Sequence, residues 1–289
     1  MRKAATVSTL LVALLAGSLA NAATGPETYR LSSPWNVDYG QESCVLKGVF
    51  SSGSSKITFE LRQVSQFDVF KTTVLSSRFA GTLHSVKVRF VPETKPHAVL
   101  QMAPLRFSDG TVGLTWIDSF LPLPIQPQST SERISQRDAS EKATTAIELS
   151  GSIKPAVVLA TGQMSVPMEA VRKCLDDLVM SWGVDAAAQR ALSKPVKPID
   201  QGNWARVLQD NYPRGMLAKK KGAIVPVRLM VGADGRTNSC HTQIPSQEPD
   251  FEAAACAVMM KVSRFEPALD ALGKPIASYF VTRAVFDPG

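Results

Sequence analysis

The sequence predicts an α+β protein in two parts: an antiparallel, β-rich N-terminal domain with one packed helix, and a small C-terminal domain running helix, β-hairpin, helix, β-strand. Three observations carry that prediction. Apolar and polar residues alternate with period two from Trp35 to about Leu121, the mark of strands with one buried and one wet face. A stripe at helical spacing then occupies "SVPMEAVRKCLDDLVMSWG" (165–183). Beyond a Pro- and Lys-rich stretch, "ALSKPVKPIDQGN" (191–203), short elements of both kinds follow in quick succession.

In the first part Ile57, Phe59 and Leu61 alternate with Lys56, Thr58, Glu60 and Arg62, and Val86, Val88 and Phe90 repeat the pattern. "SSGSS" (51–55) is a turn between two such runs. "QPQSTSERISQRDASEKATT" (126–145) is nearly free of large apolar residues and reads as a long surface loop, after which "AIELSGSI" returns to the sheet. In the helix that follows, Ser165 is placed to cap, Pro167 sits in the first turn and Gly183 stops it. Its stripe of Met168, Val171, Leu175, Leu178 and Trp182 must be buried against the strands. Asp176 and Asp177 point away from each other and read as a solvated helix face rather than an acid–base pair. The stretch 191–203 carries no periodicity and reads as an inter-domain linker.

In the second part Pro213 suits the first turn of a short helix, with Asn211 or Tyr212 near its cap and Met216 and Leu217 facing the core. Gly222 is placed to end that helix in a left-handed conformation. Lys219, Lys220 and Lys221 then lie in the last turn, where cations meet the negative end of the helix dipole. Val225, Val227, Leu229 and Val231 alternate up to the turn "ADGR", and "TNSCHTQI" returns as the second strand of a hairpin. "DFEAAACAVMMKVSRF" is an amphipathic helix with Phe251, Ala254, Ala255, Val258 and Val262 on one stripe. "SYFVTRAVF" (278–286) is the closing strand.

Chain length and composition agree with this division. At 289 residues the chain can bury two cores, and 44% hydrophobic with 20% charged residues is ordinary globular composition. The N-terminus has a basic "MRK", a short uncharged apolar run and "ANA" (20–22), the pattern of a secretory signal peptide cleaved after Ala22. The expected organisation is therefore a signal peptide at 1–22, a β-rich domain at 23–190 with one C-terminal helix, a linker at 191–203, and a second domain at 204–289. No later stretch is long and apolar enough to span a bilayer. Loss of Arg2 and Lys3 leaves 30 basic against 25 acidic residues, a net +5. So dilute an excess suits an acidic envelope surface and does not point to nucleic acid.

Export makes disulfides the expected state of Cys44, Cys174, Cys240 and Cys256. Four cysteines allow three connectivities; topology favours Cys44–Cys174 and Cys240–Cys256, one bridge within each domain. A metal site lacks support, since there is no C-x-x-C and the histidines (His84, His97, His241) lie far apart. No cofactor is expected. No G-x-S-x-G, S-x-x-K or H-E-x-x-H occurs, so an enzyme is not expected. A cell-envelope hydrolase with its site in the N-terminal domain, or a structural adaptor, is the alternative.

From Tyr212 to Phe286 the chain resembles the C-terminal domain of TonB. The matching elements are "YP" (Tyr212, Pro213), "GAIVPVRLMVGADGR", "FEAAACAVMMKVSRFEPA" and "GKPIASYFVTRAVF". The paired cysteines resemble a variant found among exported members. The resemblance implies a domain that binds an extended segment of an outer-membrane transporter, or of another envelope protein, by adding a strand to its sheet. The implied partner-binding residues are Tyr212 and Pro213 together with the last strand: Ser278, Phe280, Thr282 and Ala284 on one face, Tyr279, Val281, Arg283 and Val285 on the other. The same open edge offers a homodimer. Three departures stand out. Ser263 replaces a large aromatic residue, implying looser packing. Pro226 sits inside a strand, implying a bulge or an unpaired stretch. The sequence shows neither a retained anchor helix nor a long Pro-rich rod, so a periplasmic binding module that does not itself transduce energy is expected.

Overall fold

The computed structural model describes residues 25–66, 68–79, 85–121, 130–243 and 248–289; the expected signal peptide at 1–22 and His84 lie outside them. The period-two segments form one 11-stranded sheet. Its first strands are β1 (Glu27–Leu31), β2 (Asn36–Tyr39), β3 (Cys44–Ser52), β4 (Ser55–Gln63), β5 (Val69–Ser76) and β6 (Val86–Val91). Then come β7 (His97–Ala98), β8 (Leu100–Arg106), β9 (Val112–Ser119), β10 (Ala146–Gly151) and β11 (Val157–Ala160). Neighbours run β7-β6-β10-β11-β1-β3-β4-β5-β9-β8, with β2 also on β3. The pair β1–β11 is parallel, so the sheet is not purely antiparallel as expected.

The sheet curls until its two ends meet. His97 Nε2 on β7 lies 3.0 Å from Asp118 Oδ1 on β9, and the rings of Phe90 and Phe120 stand 4.9 Å apart beside them. The inner face is filled by Tyr29, Phe50, Phe59, Leu61 and Trp116, all essentially without solvent contact. Each contributes about 1.5–3 kcal/mol of transfer free energy.

Two helices cover this sheet, and one of them was expected to be a loop. Residues 130–143 form α1 (Thr130–Ala143) instead of irregular chain. With almost no large apolar side chains it has no stripe to bury, and it is held by charge. Arg133 and Arg137 both pair with the buried Asp68, and the buried Glu141 takes both hydrogen bonds of Arg172 Nη1, at 2.9 and 2.7 Å. Helix α2 (Ser165–Ser181) packs on β2 and β3 through Met168, Val171, Leu175 and Leu178. Ser165 does not cap it: the cap position is Met164, which makes no side-chain cap bond. Gly183 follows the helix at φ +81°. Cys174 is joined to Cys44, as topology favoured.

The remaining helices are α3 (Ala186–Arg190), α4 (Gln201–Asp210), α5 (Arg214–Ala218) and α6 (Pro249–Val262). Between them run β12 (Lys197–Ile199), β13 (Ala223–Val231), β14 (Thr237–Thr242), β15 (Arg264–Glu266), β16 (Ala268–Leu269), β17 (Pro275–Ile276) and β18 (Ser278–Phe286). Stretch 191–203 is not a free linker. β12 pairs with β15, Val196 is buried, and Asp200 caps α4 by accepting the Asn203 N–H. The second core gathers Trp204, Leu208, Val225, Val227, Leu229, Phe251, Phe265 and Phe286. Cys240 and Cys256 are bonded across it, tying β14 to α6.

Several expectations here need correction. Lys220, at φ +51°, and not Gly222 supplies the left-handed residue after α5. Gly222 is needed for another reason, since a Cβ there would lie 2.9 Å from the Phe286 carbonyl oxygen. Lys221 does find an acidic partner, Glu248 at the start of α6. Pro226 causes no bulge against β18, where it pairs with Arg283; the irregularity lies between Met230 and Val231. The missing Pro226 donor faces the β14 side, where pairing ends at Val227 and Thr242 while the Pro226 carbonyl still accepts the Gln243 N–H. Ser263 leaves no looseness: it is fully buried, and its hydroxyl meets Thr237 Oγ1 and the Met259 carbonyl.

Candidate partner-binding site

The second sheet has the order β14-β13-β18, so among the described residues β18 has a neighbouring strand on one side only. In an antiparallel pair successive residues turn their N–H and C=O alternately toward and away from the neighbour. Two side chains show which residues of β18 face away. Gln209 Nε2 donates to the Val285 carbonyl at 2.8 Å, and Gln189 Nε2 donates to the Ala277 carbonyl at 3.0 Å. By that parity the outward residues are Ala277, Tyr279, Val281, Arg283 and Val285. Ser278, Phe280, Thr282 and Ala284 bond to β13, opposite Val231, Leu229, Val227 and Val225.

The two faces of β18 have different surroundings. Ala284 and Phe286 are buried in the second core, and Phe280 packs edge-on to Trp204. On the other face Arg283 and Val285 are exposed, whereas Tyr279 is 5% exposed and belongs to a separate apolar cluster with Val179, Val184 and Ala186. That cluster joins the two parts of the chain. The Gln66 backbone N–H donates to the Tyr279 hydroxyl at 3.0 Å, and the Trp182 ring stands edge-on to Tyr279 at 5.1 Å. Burial pushes the Tyr279 hydroxyl pKa up to about 12, against the lowering effect of the Gln66 N–H. On β13, Arg228 reaches Glu42, in the turn between β2 and β3, through two hydrogen bonds, at 3.0 and 2.7 Å.

A sequence match decides what this module is. The profile described as "Gram-negative bacterial TonB protein C-terminal" matches residues 209–288. These residues are a TonB C-terminal domain. The match leaves residues 1–208 outside the family profile. A comparison with curated proteins returns no match. Among the described residues no helix is long and apolar enough to cross a membrane.

Within the TonB domain the expected site residues are only partly brought together. Ser278 to Ala284 lie on one edge strand, as expected. Tyr212 and Pro213 follow α4, whose Gln209 meets the outer side of the strand at Val285. The Tyr212 ring packs against Phe251 and Phe286, and its hydroxyl donates to the Lys221 carbonyl, so "YP" pins the turn between α4 and α5 onto the core. Asp176 is not a bare solvated acid either: it pairs with Arg190 and accepts Gln66 Nε2 at 2.8 Å, bracing α3 against α2.

Four residues that matter at this edge carried no sequence-level signal: Gln66, Gln189, Gln209 and Glu42. Their partners lie 76 to 213 positions away. Helix α4 did have one, an Asp200 cap followed by Trp204 and Leu208 at i,i+4 spacing. Of the histidines, His97 has gained a carboxylate, and that pair closes the first sheet.

Proposed function

We propose that this chain is a periplasmic binding module, neither an enzyme nor a transducer, which captures extended segments of outer-membrane or other envelope proteins by adding a strand to β18. The observation that carries the reading is the open side of β18. The outward N–H and C=O groups of Val281 and Arg283 have no hydrogen-bond partner among the described residues. Free backbone groups on an edge supply affinity in strand addition, and alternate side chains supply selectivity. Here Arg283 and Val285 offer a cation and an apolar surface on the exposed face.

The test uses the whole oxidised chain with labelled backbone amides, titrated with ten-residue segments from the periplasmic faces of outer-membrane transporters. Saturable shifts at Val281 and Arg283 are expected, and they should vanish in Val281→Pro, which removes one outward donor and no bond to β13. Concentration-dependent shifts on the same strand without peptide would mean that a second copy of the chain takes the edge. No shifts at millimolar peptide would end the reading.

A further inference from the structure

The N-terminal domain lies against the same strand that the proposed partner would use, and it does so through specific bonds. Gln189, at 8% exposure, makes two of them. Its Nε2 donates to the Ala277 carbonyl, and its Oε1 accepts the Ser278 hydroxyl at 2.6 Å. An added strand must lie about 4.8 Å from β18 in the plane of the sheet. The Gln189 side chain occupies that space at the start of the strand, and α3 stands behind it. Two residues further on, the Tyr279 ring packs in the cluster of Val179 and Trp182 while its hydroxyl is held by Gln66. The Arg228–Glu42 pair closes the same joint from β13. Past Tyr279, Val281 and Arg283 are clear of both glutamines until Gln209 is met at Val285.

We propose that docking of the N-terminal domain limits how much of β18 can pair, so that the closed chain accepts only a short segment along Val281 and Arg283 and a longer segment binds by opening the joint. This rests on the strand-addition reading and adds its regulation. Pairing along the first half of β18 and docking of α3 compete for one space. By linkage, whatever weakens docking must tighten long-segment binding, and a bound long segment must loosen docking by the same factor.

The test compares the whole oxidised chain with the double variant Glu42→Ala, Gln189→Ala, which changes two side chains of the joint and none of either main core. Five-residue and ten-residue peptides from the periplasmic faces of outer-membrane transporters are the probes. The ten-residue peptide should bind the variant at least fivefold more tightly than the wild type, while the five-residue peptide binds both alike. In the wild type, the ten-residue peptide should also speed hydrogen exchange of the Gln66 amide, which reads the joint without any substitution. Equal affinities with an unchanged Gln66 amide would overturn the regulation and leave strand addition standing. Absence of binding by either chain would overturn both together.

Discussion

The guanidinium of Arg228 lies over the indole of Trp182, 4.1 Å from the ring centroid, while its nitrogens hold Glu42. One side chain from the TonB domain thus touches both the C-cap of α2 and the turn between β2 and β3 in the N-terminal domain. Arg228 is 4% exposed, so the cation is out of water and both contacts are stronger than at a surface. Arg228→Ala should cost about 2–4 kcal/mol of denaturation free energy, and Arg228→Lys nearly as much, because a lysine cannot hold a carboxylate with two bonds while lying flat on a ring. Denaturant unfolding followed by tryptophan fluorescence measures both.

Tyr279 makes the joint sensitive to alkali. Its folded pKa, about 12, lies above the ordinary value of 10.0. The stabilisation is therefore complete below pH 10 and is lost as pH rises toward 12, by on the order of 2 kcal/mol. Tyr279→Phe removes the titration and strands the Gln66 N–H, costing about 1–2 kcal/mol at neutral pH. The wild type should lose its advantage over that variant between pH 10 and 12, and unfolding curves for the pair across that range check it.

Helix α1 depends on charge in a different way. Burial is the largest influence on Glu141 and raises its pKa, against the lowering effect of Arg172. Arg172→Ala leaves that carboxylate buried beside Arg137 alone and should cost about 2–3 kcal/mol at pH 7. Adding Glu141→Gln should return most of the loss, since the unpaired charge is what costs. A double-mutant cycle in thermal unfolding reads the coupling.

His97 closes the first sheet with a bond whose strength falls as pH rises. The hydrogen bond to Asp118 is the main cause of its raised pKa, burial opposes it, and the charges of Asp118 and Glu93 add to it. The contribution is complete below about pH 6.5 and disappears as pH climbs through the folded value. The melting-temperature difference between the wild type and His97→Gln should therefore shrink from about pH 5 to about pH 8.

Where periodicity governed an element, the sequence was a sufficient guide. Ile57, Phe59 and Leu61 are buried in β4 as alternation requires, and Met168, Val171, Leu175 and Leu178 are buried along α2. The "DGR" turn was equally plain: Gly235 stands at φ +74°, and a Cβ there would meet the Phe265 carbonyl oxygen at 2.1 Å. Helix α1 was missed because its anchors are ions, which leave no apolar stripe to find. β12 was missed because a three-residue strand owes its existence to β15, 67 positions from Lys197 to Arg264 in chain order.

By itself the sequence determined the local and repetitive features: strand and helix periods, the glycine turn, the cysteines available for bridging, and the ordered motifs of a TonB C-terminal domain. Only the tertiary structure decided which side of β18 is open and what stands against it. Those facts depend on Gln66 meeting Tyr279 across 213 positions and Glu42 meeting Arg228 across 186. Such pairs have no period and no local propensity. They exist because two separately driven cores bring their surfaces together, and the polar groups left at that contact must find each other or remain unpaired out of water.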